Sequence, residues 1–154
     1  MLKNKGFGLI EVLAAAGLLA VAAAFLVPAL GGVQTYLYKM QAQRAAQQMA
    51  GDIAALQQYC FYDGSRGSQL EMDVEKDGYR IYHAGTLFKK RKFSTDSGLY
   101  FEQHFGALKF SPEGAPSTTD ENVKAVNYII KCRHDKNISY WLQVQPVTGR
   151  VVFK

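Results

Sequence analysis

"KGFGLIEVLAAAGLLAVAAAFLVPALGG", residues 5–32, carries one acid, Glu11, near the start of a long apolar run. A carboxylate at bilayer depth costs on the order of 2.5–3.5 kcal/mol. A simple anchor has no use for it, so the residue calls for a partner. From Val12 to Val33 there are 22 residues without a charge. As a helix they reach roughly 33 Å, at about 1.5 Å per residue, which suits a hydrocarbon core of about 30 Å. Lys3 and Lys5 precede the run, so the positive-inside rule predicts a cytoplasmic N-terminus and an extracytoplasmic remainder. The competing expectation is an ordinary secretory signal cut after the small residues of "AVAAA" (20–24). Two features count against it: the run exceeds the usual apolar core of about 7–15 residues, and a helical pattern continues directly out of it.

That pattern is an apolar stripe. Ala42, Ala46, Met49, Ile53, Leu56 and Cys60 recur at spacings of 4, 3, 4, 3 and 4, while Gln41, Gln43, Arg44, Gln47, Gln48 and Gln57 populate the other faces. The spacing predicts an amphipathic helix whose apolar face packs on a C-terminal sheet. "QLEMDVE" (69–75) alternates as a half-buried strand does, and "KDG" turns it into "YRIYHA" (79–84). "GLYF" (98–101) and "ALKF" (107–110) are shorter strand candidates, and the Pro, Gly and Ser of "SPEGAPSTTDEN" (111–122) predict a loop. "VKAVNYIIKCR" (123–133), "ISYWLQVQ" (138–145) and "RVVF" (150–153) predict an antiparallel meander.

The two ends of the chain carry a resemblance. Met1 to Gly6 is a short basic leader ending in glycine, followed by Phe7, then Glu11 as the fifth residue from Phe7, then the apolar helix. This resembles the class III (prepilin) signal of type IV pilins and pseudopilins. "FGALKFSPEGAPSTT", a strand pair and "VQPVTGRVVF" are similar to the ending of minor pseudopilins of the H type. The resemblance implies cleavage between Gly6 and Phe7 by a prepilin peptidase and N-methylation of Phe7. It also implies that Glu11 meets the N-terminus of a neighbouring subunit during assembly, where a charge pair in low dielectric favours one stagger over others. Pro28, Gly31 and Gly32 read either as tolerated membrane-helix residues or as a weak point at which pilin helices bend.

The fold expected is α+β and pilin-like: a long N-terminal helix, half membrane-spanning and half amphipathic, packed on a C-terminal antiparallel sheet. The divisions expected are a cleaved leader (1–6), a transmembrane and assembly helix (7–33), the amphipathic helix of the head (34–60) and an antiparallel β head (61–154). The function implied is structural, as a minor pilin or pseudopilin of a type IV pilus, type II secretion or competence filament. Its partners would be prepilin peptidase, other pilin or pseudopilin subunits, the inner-membrane assembly platform and, before assembly, membrane lipid. The location implied is the cytoplasmic membrane, single-pass, and then the filament.

Other chemistry finds less support. The chain has 154 residues and a formal net charge of +5. Without Lys3 and Lys5 the balance is 16 minus 13, or +3, which does not by itself announce nucleic acid. Lys89, Lys90, Arg91 and Lys92, flanked by Phe88 and Phe93, nevertheless form a basic run that could hold phosphates beside stacking rings. The alternative function is therefore a DNA-binding minor pilin for DNA uptake, the other reading being a solvated loop. His83, His104 and His134 fall at no metal spacing, and Gly64-Ser65 lacks the GxSxG frame, so neither catalysis, a metal nor a cofactor is expected. Cys60 and Cys132 form no CxxC; an extracytoplasmic head makes them a disulfide candidate, the other reading being two buried thiols.

Overall fold

Helix α1 runs from Leu9 to Asp63. Its sequence is rich in Ala, Leu and Gln, which lose little side-chain freedom in a helix. The structure, a computed structural model, describes residues 8–63, 70–102, 107–118 and 126–153, without the side chains of residues 26–30, 70 and 118. The chain divides into two compact units, Met1–Leu37 and Tyr38–Lys154, and α1 contributes to both. In the first unit Leu9, Ile10, Val12, Leu13, Leu18, Leu19, Val21 and Phe25 are all exposed, by 55% to 80%.

In the second unit the stripe is buried as its spacing predicts. Ala42, Ala46, Met49 and Ile53 have no exposed surface, Leu56 has 3% and Cys60 none. Among the described residues nine strands surround it: β1 (Leu70–Glu75), β2 (Gly78–His83), β3 (Thr86–Lys92), β4 (Leu99–Phe101), β5 (Leu108–Phe110), β6 (Pro116–Thr118), β7 (Val126–Cys132), β8 (Ser139–Val144) and β9 (Val151–Phe153). They form two antiparallel sheets, ordered β3-β2-β1-β5-β6 and β4-β7-β8-β9. The helical stripe shares one core with Met72, Ile81, Leu108 and Phe110 of the first sheet and Phe101, Tyr128, Ile130 and Leu142 of the second. Met72, Val74, Tyr79 and Ile81 alternate inward along β1 and β2, as do Val126, Tyr128, Ile130 and Cys132 along β7.

The expected fold is corrected in two respects. Among the described residues no helix is long and apolar enough to cross a membrane. The expected transmembrane half of α1, and with it single-pass insertion, does not fit this finding. The β residues, moreover, make two sheets rather than one. The β7-β8-β9 meander recruits β4, while β1 pairs with β2 and β5, so the two groups share no ladder. The expected loop at 111–122 contains β6, and the basic run belongs to β3.

A polar tie joins the turns of both sheets to the helix. Gln57 Nε2 donates to the carbonyl of Gly114, in the β5–β6 turn, at 3.0 Å, and to that of Thr148, in the β8–β9 turn, at 2.6 Å. Gly149 sits where the turns meet, at φ +66°. A Cβ there would lie 2.5 Å from Gln57 Nε2 and 2.7 Å from the Gly114 carbonyl oxygen. Left-handed backbone and close approach both demand glycine at this position. Gly149→Ala should therefore lower stability by roughly 1–3 kcal/mol. Gly51 lies in mid-helix, and a Cβ there would meet nothing within 4 Å. Gly51→Ala should raise stability by about 0.5–1 kcal/mol. Urea unfolding of the two variants checks both signs.

Candidate functional site

Two regions hold the residues that sequence reasoning singled out. The first is the start of α1. Gly8 N–H donates to Glu11 Oε2 at 3.3 Å, and the Gly8 carbonyl accepts from the Glu11 N–H at 2.9 Å. The acid three residues past the cap reaches back to its amide, which is one half of a capping box; Gly8 has no side chain to supply the other half. The carboxylate also lies at the positive end of the helix dipole. Glu11 thus has a local partner, on an exposed helix start surrounded by exposed Leu9, Ile10, Val12 and Leu13. Gly6 and Phe7 lie outside the described residues, as does the side chain of Pro28. Gly31 and Gly32 are helical, and a Cβ at either would meet nothing within 4 Å.

The second region is the seam between α1 and the β2–β3 hairpin. Asp52, 8% exposed, is a buried acid on the helix. It accepts hydrogen bonds from Tyr79 Oη at 2.8 Å and Lys89 Nζ at 2.6 Å, and Arg91 Nε lies 3.6 Å from its Oδ2. The β3 register explains the convergence: Arg91 is paired with Tyr79 and Lys89 with Ile81, so all four side chains fall on the helix-facing side. Lys92, on the opposite side, pairs with Asp77 at 2.9 Å and holds that carboxyl below its ordinary value. The basic run was expected either to hold DNA or to be a solvated loop; the structure places it in a strand rather than a loop. Lys89, Lys90, Arg91 and Lys92 form part of an edge strand, and three of the four cations face acids of the same chain. Period-2 alternation divides the run between two faces.

Asp52 was missed in the sequence, though a signal was present. Met49, Asp52, Leu56, Tyr59 and Asp63 recur at 3, 4, 3 and 4, a second helical row that carries acids at two positions. Farther along this row Tyr59 meets Phe88 edge-to-face, with ring centroids 6.5 Å apart. Tyr59, Asp63, His83 and Phe88 line a cavity of about 120 Å³. His134 stacks on Tyr38 at 4.8 Å, and His104 lies outside the described residues. Among the described residues no group of three or more His, Cys, Asp or Glu side chains could hold a metal ion.

The cysteine pair was expected as a disulfide or as two buried thiols. Cys60 and Cys132 are both buried, but no disulfide joins them. Cys132 Sγ donates to the Ser97 carbonyl at 3.5 Å, and burial pushes the Cys60 thiol up against the opposing effect of a hydrogen bond with the Phe110 backbone. Each thiol is placed as a small buried hydrophobe.

No protein-family model, curated protein or solved structure matches the chain.

Unfolding the protein without reductant should expose two thiols to alkylation; finding none would establish a Cys60–Cys132 bond. Alkaline pH tests the buried hydroxyls. Burial, and then the hydrogen bond to Asp52, raise Tyr79; burial, and then the charge of Asp73, raise Tyr128. An unfolded tyrosine ionises near pH 10, at about its ordinary value. Above that pH the folded state binds more protons than the unfolded one, so stability falls as pH rises. Tyrosine absorbance should show Tyr79 and Tyr128 ionising only as the fold is lost. Tyr79→Phe should flatten the alkaline decline.

Proposed function

We propose that this chain is a structural subunit of a type IV pilin-like filament, a minor pilin or pseudopilin of the H type, in a type IV pilus, type II secretion or competence machine. Prepilin peptidase cleaves between Gly6 and Phe7, Phe7 is N-methylated, and the N-terminal helix carries assembly. The observation that carries this reading is the exposed apolar surface of residues 9–25 with Glu11 in its first turn. Exposed apolar surface on this scale calls for a cover. In an assembly the cover is the helices of neighbouring subunits; before assembly it is lipid at the cytoplasmic membrane, where the precursor meets the peptidase and the assembly platform.

Glu11 has a distinct task in this reading. Its own Gly8 N–H, at 3.3 Å, is an exposed and weakly placed partner. Cleavage creates a charged α-amino group at Phe7, and the same group on a neighbour is the stronger partner in a dry helix bundle. Pairing with that neighbour fixes the axial offset of one subunit against the next.

Mass spectrometry of the membrane fraction tests the processing step. Wild type should yield a chain beginning at methylated Phe7, and Gly6→Val should retain its leader. A Gly6→Val chain that still begins at Phe7 would overturn the cleavage site. Glu11→Leu should be processed normally but fail to co-purify with filament partners, and Glu11→Gln should show most of that defect because charge rather than size is lost. Wild-type assembly by Glu11→Leu would reduce Glu11 to a helix cap.

A further inference from the structure

The cavity at the end of the α1–hairpin seam has features that the filament reading does not use. Its floor is the row Tyr59 and Asp63 on α1, and its wall is His83 of β2 and Phe88 of β3. Phe88 reaches this wall through an irregularity in the ladder. Tyr82 is paired with Leu87 and Ile81 with Lys89, which leaves Phe88 unpaired between them. Such a bulge re-aims a side chain and gives up a ladder position. Here it places a second aromatic ring beside Tyr59 at an interplanar angle of 76°. Two perpendicular rings form the corner of a box. Both remain open to solvent, Tyr59 by 52% and Phe88 by 61%.

The charges around this corner select its ligand. Asp63 supplies a carboxylate that no ion pair or hydrogen bond occupies among the described residues. The cation next in sequence to Phe88 does not compete for it, because Lys89 is held by Asp52, farther back along the row. Lys90 is paired with Arg80 in the register, on the face turned from the helix. Aromatic faces are negative at the centre of the ring, and a carboxylate beside two of them favours a cation with an apolar shell. A compact, strongly hydrated metal ion gains little from ring faces. A volume of about 120 Å³ is well below that of a drug-sized site and admits a single head group or side-chain terminus.

We infer that Tyr59, Asp63, His83 and Phe88 form a binding site for an organic ammonium ion, independent of the filament reading. The rings enclose the alkyl shell of the cation and Asp63 balances its charge. Two sources carry this chemistry, a free alkylammonium such as choline and the end of a lysine side chain, whose methylene stem supplies the apolar part beside its ammonium.

Equilibrium dialysis of the full chain, in a non-ionic detergent, against radiolabelled choline tests the site. Saturable binding is expected with a dissociation constant on the order of 1 mM. The neutral isostere, in which carbon replaces the nitrogen of choline, should compete at least about tenfold more weakly. Acetyl-lysine amide as competitor distinguishes the sources: stronger competition than unlabelled choline assigns a lysine, weaker competition an alkylated ammonium. Asp63→Asn and Phe88→Leu should each weaken choline binding by about tenfold. Tyr62→Leu, an exposed neighbour outside the cavity, should leave it unchanged. The proposal is overturned by an isostere that competes as well as choline, by absence of saturation, or by wild-type binding in Asp63→Asn, whose exposed side chain leaves the core intact.

Discussion

The burial of one helical seam by two sheets at once governs the second unit. Ala42, Ala46, Met49, Ile53, Leu56 and Cys60 present a narrow apolar face, with the small alanines at its start and the larger Met49, Ile53 and Leu56 beyond them. Neither sheet has another apolar layer to lean on among the described residues; both contribute their inward rows to the core of that seam. A close-packed interior tolerates little change in volume, so the helix, the β1–β2–β5 face and the β7–β8 face must fit one another simultaneously. The seam therefore fixes the phase of α1 about its own axis. It follows that the flanking polar rows, Asp52 on one side and Gln57 on another, are aimed by packing rather than by their own bonds.

Those polar contacts then confer specificity on an arrangement that apolar burial alone leaves loosely defined. Asp52 accepts from Tyr79 and Lys89 with Arg91 nearby, which ties the edge strand β3 to the helix. The edge strand is also the one most densely charged, and charge on an edge discourages pairing with another chain. Gln57 does for the turns what Asp52 does for the edge, binding the carbonyls of Gly114 and Thr148. Between them, the two residues connect α1 to both sheets at positions far apart in sequence. The price of this design is sensitivity at the contact points, above all at Gly149, where no side chain fits.

The first unit obeys the opposite rule. Its helix buries none of its large described hydrophobics, and its only described acid sits at the first turn, bonded to Gly8. A protein with a well-packed head and an uncovered apolar helix has its unfinished surface concentrated in one unit. The filament proposal rests on that contrast together with the basic leader and the Gly6-Phe7 junction. The aromatic cavity belongs to the head and answers to different chemistry, so the two readings stand or fall separately.

The sequence by itself determined the local order: which stretch of α1 is amphipathic, that β1 alternates as a half-buried strand, and that the last three strands form a meander. Those features follow from periods of 3.6 and 2.0, which a chain carries wherever it folds. It did not determine how the strands divide into sheets, because a short strand such as "GLYF" or "ALKF" is equally apolar in either neighbourhood. Only the tertiary structure decided that β4 joins β7 and β5 joins β1. The basic run shows the same limit more sharply. Four adjacent cations read as one patch along the chain, yet a strand sends neighbours to opposite faces, and Asp52, from a helix 37 positions away from Lys89, claims one of those faces. The cysteines read as a pair by count and compartment, while packing gave Cys132 the Ser97 carbonyl and Cys60 a place in the seam. Contacts between distant segments depend on which surfaces bury each other, and a linear pattern does not encode that choice.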